Sequence, residues 1–185
     1  ILKELAQNYQ YAGKTEDAEN LNASADVIRE ILSEISRIKN DGRTPAQCDE
    51  THPMKKYFEQ IFPAYQKMMK ELGKIDFDDM MTDCLSLLKR NPAMLEKWRS
   101  VFRYILIDDN QDINLLRFQI IQLLAAPHNN LFIVGDDDQS IYGFHGSRPD
   151  IMLNFRSFYP DAKSVFLGIN YRSCPEILQV SAAVI

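Results

Sequence analysis

A chain of 185 residues can form one domain with its own core, or one domain with pieces of another. Its 45% hydrophobic and 25% charged residues exclude a disordered or collagen-like chain. The formal net charge of −5 argues against coating nucleic acid through overall positive charge, so any such contact must come from particular residues. No apolar run approaches the roughly 18 residues of a membrane-spanning helix. Ile1-Leu2-Lys3-Glu4-Leu5 lacks the features of a signal peptide, which together with the missing span predicts a cytoplasmic protein. Cys48, Cys84 and Cys174 are odd in number and far apart, a pattern that predicts reduced, buried thiols and neither a disulfide framework nor a zinc site.

The region up to about Lys74 reads as helices. Between Glu16 and Asn40, Ile28, Ile31, Leu32, Ile35 and Ile38 recur at the spacing of one helix face. Gly42 and Pro45 mark a break. Tyr57, Phe58, Ile61, Tyr65, Met68, Met69 and Leu72 repeat the pattern, and Pro63, lacking an N–H, predicts a kink or a restart. Beyond Gly73, Asp76 and Asn91 stand as N-caps and Pro92 at a first helical position. The runs Tyr104–Ile107, Leu131–Val134 and Ser164–Leu167 read as buried strands, separated by helical patterns over Leu115–Ala126 and Asp150–Phe158. Ser173 is a further N-cap. Strand and helix in alternation predict an α/β fold with a parallel sheet. The chain begins without Met in a helical pattern and stops at Ser181-Ala-Ala-Val-Ile185 with no cap, so both ends read as cut.

Three stretches carry chemistry. Ile105-Leu-Ile-Asp108-Asp109-Asn110-Gln111-Asp112 ends a hydrophobic strand in acids, at the sheet edge where ligands of open α/β folds bind. Such acids hold Mg²⁺ and orient water in nucleotide hydrolases, and equally they form polar turns that cap the next helix. Val134-Gly135-Asp136-Asp137-Asp138-Gln139-Ser140-Ile141-Tyr142-Gly143-Phe144-His145-Gly146 gathers acids, aromatics and glycines in a run too irregular for a helix. Tyr142 and Phe144, two apart, would share one side of an extended segment, suited to stacking on bases or to plugging a core. Asn170-Tyr171-Arg172-Ser173 leads from a strand to a helix, where Arg172 is either a phosphate ligand or a surface charge.

In order and spacing these stretches resemble motifs II, III and IV of the UvrD/Rep-like superfamily 1 DNA helicases, and Ile75-Asp-Phe-Asp-Asp-Met80 resembles the D-F-D-D-L stretch before motif II. The resemblance is specific from about Ile75 to Leu178. It implies a P-loop NTPase (RecA-like) parallel-sheet half-domain with a mainly helical N-terminal subdomain. Residues 1–74 would be the helical 1B-like insertion, 75–160 the second half of domain 1A, and 161–185 the start of domain 2A. It further implies Asp108 as the Mg²⁺ ligand, Asp109 at the position of the catalytic acid, and Gln139 as the γ-phosphate sensor. Arg172 would be a second γ-phosphate contact and Tyr171 would stack near adenine, while Tyr142, Phe144 and His145 would touch single-stranded DNA. ATP and Mg²⁺ are the implied cofactors. Single-stranded and duplex DNA are the implied partners, with repair or replication proteins as further ones.

The departures are informative. The family's Asp-Glu-aromatic-Gln-Asp stands here as Asp108-Asp109-Asn110-Gln111-Asp112, so the general base is one methylene short. His145 stands where arginine is common, which weakens a phosphate contact at neutral pH. The phosphate-binding loop G-x-x-x-x-G-K-[ST] is missing: before Gly13-Lys14-Thr15 the earlier glycine is replaced by Asn8 and no strand precedes. The expectation is a helicase fragment, inactive alone. Two alternatives remain open, a non-enzymatic binding module derived from a helicase and the helicase part of a helicase-nuclease.

Overall fold

The computed structural model describes residues 25–43, 45–47, 55–140 and 146–184. Gly13-Lys14-Thr15, Cys48, Tyr142, Phe144 and His145 lie outside them, as does the segment before Ala25. Two long amphipathic helices come first, α1 (Ala25–Asn40) and α2 (Lys55–Glu71). Ile31, Ile35 and Ile38 of α1 bury against Ile61, Tyr65 and Met69 of α2, the core predicted by their three-and-four spacing, and Phe62 joins them. Leu32 and Leu72, assigned to the same faces, are exposed. Leu32 lies a step of helix rotation beyond the stripe, and Leu72 falls after the last helical residue. The helix runs through Pro63 without a restart. Pro63 and Glu59, four residues earlier, are both on the exposed side, where water can satisfy the carbonyl that proline leaves unbonded. Gly42, at φ +63, takes the left-handed turn that ends α1.

Helix α3 (Phe77–Arg90) starts with a reciprocal capping box, in which the Asp76 side chain accepts from the Asp79 N–H and the Asp79 side chain accepts from the Asp76 N–H. The same two acids hold Lys39, whose side chain is only 4% exposed, with both N–O distances at 2.6 Å. The Tyr65 hydroxyl donates to Asp76 at 2.9 Å, and the Lys39 ammonium lies 5.3 Å from the Tyr65 ring centroid. Burial pushes the Asp76 carboxyl up, but hydrogen bonds from Lys39, the Asp79 N–H and Tyr65 outweigh it and hold the group below its ordinary value. Burial, and then the bond to Asp76, raises the Tyr65 hydroxyl, which keeps it a donor. This buried ion cluster fastens the helical pair to the rest of the chain.

Asn91 caps α4 (Pro92–Val101) by accepting from the Met94 N–H, with Pro92 at the first position. Strands β1 (Ile105–Ile107) and β2 (Leu131–Ile133) pair in parallel, Leu106 opposite Phe132, and are joined through α5 (Leu115–Ala125). Helix α5 is central, with apolar residues on more than one face: Leu116 and Ile120 pack on Leu85 and Leu88 of α3, while Phe118 packs with Ile113 and Ile151. Then follow α6 (Pro149–Leu153), α7 (Phe155–Phe158) and α8 (Pro175–Ala182). The helix expected over Asp150–Phe158 is thus broken at Asn154.

Four expectations need correction. The two strands are half-buried, not buried on both faces: Leu106 is 74% and Phe132 61% exposed, because the described helices cover only the side of Ile105, Ile107, Leu131 and Ile133. Ser164–Leu167 forms no strand. No neighbouring backbone pairs with it among the described residues, and Phe166 is 92% exposed. Cys84 and Cys174 are exposed free thiols, since each sits on the outer side of its segment. Ser173 does not cap α8; Cys174 holds the N-cap position, while the Asn170 side chain accepts the N–H groups of Arg172 and Ser173.

Candidate functional site

Both strands deliver their following loops to one end of the sheet. Ladder bonds continue just past the strands, with Val134 N–H donating to Ile107 O at 2.8 Å and Asn110 N–H to Val134 O at 2.9 Å, so the loops leave side by side. Asp108 is exposed, and its Oδ1 accepts the Asp109 N–H at 3.0 Å. Asp109 sits in the left-handed region at φ 48, ψ 44, a conformation aspartate tolerates at a cost of about 1 kcal/mol. That reversal swings the chain from β1 into a short 3₁₀ turn, Asn110–Asp112, and leaves the Asp109 carboxylate outside while Asn110 and Gln111 turn inward.

Gln111 is the bridge. Its Nε2 donates to Asp109 Oδ1 at 3.5 Å, and its Oε1 accepts the Asp136 N–H at 3.1 Å. Asp136 in turn accepts Gln139 Nε2 at 2.7 Å on one oxygen and the Asp138 N–H at 3.2 Å on the other. Hydrogen bonds therefore link Asp109 to Gln111, Gln111 to the Asp136 backbone, and the Asp136 carboxylate to Gln139 across the ends of both strands. Gly135 makes the approach possible: a Cβ there would lie 2.5 Å from Met152 Sδ and 2.6 Å from Gln111 Oε1, closer than atoms can pack. Asp136 and Gln111 were not among the residues singled out from sequence as ligands. The signal for Gln111 was its place in the Asp-Asp-Asn-Gln-Asp run; nothing local marks Asp136 over Asp137 or Asp138.

Arg172 and Tyr171 are both exposed. Among the described residues the Arg172 side chain makes no hydrogen bond or ion pair, so no bond joins it to Asp108 or Gln139. Among the described residues no group of three His, Cys, Asp or Glu side chains gathers as a metal cage. One carboxylate suits Mg²⁺ that arrives with phosphate oxygens and keeps several waters. Asp108, exposed and with one oxygen engaged only by a backbone N–H, fits that part. No helix among the described residues is long and apolar enough to cross a membrane.

The sequence comparisons bear on the family. Residues 1–160 match the UvrD/REP helicase N-terminal domain. The chain is 37% identical over 185 residues to a putative ATP-dependent DNA helicase, YjcD, of Bacillus subtilis, covering 100% of this chain and 24% of that protein. It is 36% identical over 169 residues to the ATP-dependent DNA helicase PcrA of Staphylococcus aureus, covering 90% and 23%. It is also 37% identical over 155 residues to a probable DNA helicase II homolog of Mycoplasma capricolum, covering 83% and 22%. The chain thus spans about a quarter of the length of these relatives. By the match to its domain and by these relatives, the chain belongs to the UvrD/REP helicase family.

Proposed function

We propose that this chain works as part of an ATP-dependent DNA helicase, which couples ATP hydrolysis to movement on single-stranded DNA and to separation of duplex strands. Residues 1–74 act as the helical insertion, 75–160 as the second half of a RecA-like domain, and 161–185 as the start of a second one. The observation that supports this reading is the set of hydrogen bonds from Asp109 through Gln111 and Asp136 to Gln139, which links the loop of the acids to the residue we assign to the γ-phosphate.

Asp108 would hold Mg²⁺, which would supply positive charge beside the phosphate oxygens. Asp109 orients the attacking water from its left-handed turn, reaching one methylene less far than glutamate. Gln139, steered by Asp136, reports the γ-phosphate to the loop after it. Tyr142, Phe144 and His145 of that loop contact single-stranded DNA. Arg172 contacts the γ-phosphate and Tyr171 stacks near adenine once their segment closes on the site. The protein acts in the cytoplasm, on DNA, beside repair or replication proteins. Lacking a phosphate-binding loop, the 185 residues by themselves hydrolyse no ATP.

The test is ATP turnover by the full-length gene product with and without single-stranded DNA. Hydrolysis stimulated by DNA, lost by roughly 100-fold or more in Asp108→Asn with DNA binding retained, supports the reading. DNA binding with no hydrolysis in the wild type overturns it in favour of a non-enzymatic binding module, to which the short acid at Asp109 already lends weight.

A further inference from the structure

Asn40, the last residue of α1, is buried, and every polar atom of its side chain is engaged. Its Nδ2 donates to Asp78 Oδ1 at 2.9 Å, to Ser36 O at 2.9 Å and to Ser36 Oγ at 3.2 Å. Its Oδ1 accepts Asn114 Nδ2 at 2.7 Å. If only volume were needed at this helix end, an aliphatic side chain would serve and would avoid desolvating an amide. The amide instead has a direction, donor toward the start of α3 and acceptor toward the start of α5.

Both ends of that direction lead to the site. Asn114 closes the turn begun at Asp108, and its Oδ1 caps α5 by accepting the Arg117 N–H at 2.8 Å. On its other side Asn40 has Gly146 as a neighbour with room between them: a Cβ added to the glycine would come to ordinary van der Waals distance, 3.7 Å, from Asn40 Cβ. Arg148 N–H then donates to Ile113 O at 2.8 Å, locking the two loop exits together beside Asn40. Among the described residues Lys39, its neighbour, hydrogen-bonds to Asp76 and Asp79, which fastens α1 to α3 and not to either loop.

We propose that Asn40 is a positioning residue for the nucleotide-facing loops, holding the exits of the Asp108 and Gln139 loops in fixed register against the helical pair. The proposal rests on the helicase reading for its kinetic consequence but not for its structural one. Asn40 touches no substrate; it acts through Asn114, and the Arg148–Ile113 bond carries the second loop with the first.

The experiment uses the full-length gene product, with ATP turnover at saturating single-stranded oligonucleotide, well below each variant's Tm. Asn40→Ala should lower kcat roughly 10- to 100-fold, the scale of a displacement near 1 Å at a reacting group, with KM for ATP changed less than about twofold. Asn40→Asp alone sets a carboxylate against Asp78 and should be as poor. Combined with Asp78→Asn it reverses donor and acceptor and should return kcat to within about threefold of wild type. If Asn40→Ala does not fold, Asn114→Ser keeps a capping oxygen while removing the donor to Asn40, and should show the same split. Hydrogen exchange of peptides covering 108–114 and 134–147 reads the register directly. Faster exchange in both, with α1 unchanged, is expected. Unchanged exchange and unchanged kcat in Asn40→Ala overturn the proposal, as does a rate deficit that the paired reversal fails to relieve. A wild-type protein with no ATP turnover sinks the helicase reading alone, since exchange still decides the role of Asn40.

Discussion

The helical pair and the strand region solve the same problem to different extents. Between α1 and α2 the apolar faces meet each other and close, with Ile31 and Ile61 at 0% exposure. Around β1 and β2, one sheet face is covered by α5 and its neighbours while Leu106, Phe132 and Tyr104 stay open on the other. Two amphipathic helices can satisfy one another locally, whereas a strand of a parallel sheet needs covering on both faces and partners on both edges. Stability of this chain should therefore be concentrated in the helical pair and its ion cluster, and the loops at the sheet end should be held by hydrogen bonds more than by burial.

The sharpest way to break that contrast is Ile61→Ala. Removing this fully buried side chain should cost about 4 kcal/mol, read as a fall in the urea midpoint with unchanged m-value. Next is Lys39→Ala, which leaves Asp76 and Asp79 facing each other without their cation. A loss of about 3 kcal/mol is expected near neutral pH.

Acid should shrink that second effect. The folded Asp76 carboxyl lies below its unfolded value of about 3.9, so its contribution is complete above that pH and is lost as pH falls through the lower folded value. Urea midpoints of wild type and Lys39→Ala should begin to converge below about pH 4 and meet once the folded carboxyl is protonated as well; a gap unchanged through that titration would disprove the pairing as its source. Asp76→Ala should cost about 2 kcal/mol, since it removes both a helix cap and one partner of Lys39. The smallest effect is expected in the open region. Phe166→Ser should shift stability by less than about 0.5 kcal/mol despite the size of the side chain, because Phe166 packs on so little.

Much of this was legible in local patterns. The isoleucine stripe of α1, the Asp76 and Asn91 caps, the two paired strands and the acidic loops after them all follow from spacing and residue type, because each depends on neighbours within a turn or a strand. The third apolar run looked no different from the first two, yet among the described residues Ser164–Leu167 has no paired backbone beside it. Hydrophobicity records what a segment could bury, not whether a partner is there to receive it.

The candidate site divides in the same way. Composition and order by themselves determined that acids, Gln139 and irregular loops end two strands, and motif II and motif III patterns named the family. Only the tertiary structure decided that Gln111 carries the connection to Asp136, across 25 residues, and that Asn40 reaches Asn114 across 74. Hydrogen bonds at such separations leave no periodic trace in a sequence, because their partners are set by how helices and strands pack and not by the local propensity of either residue.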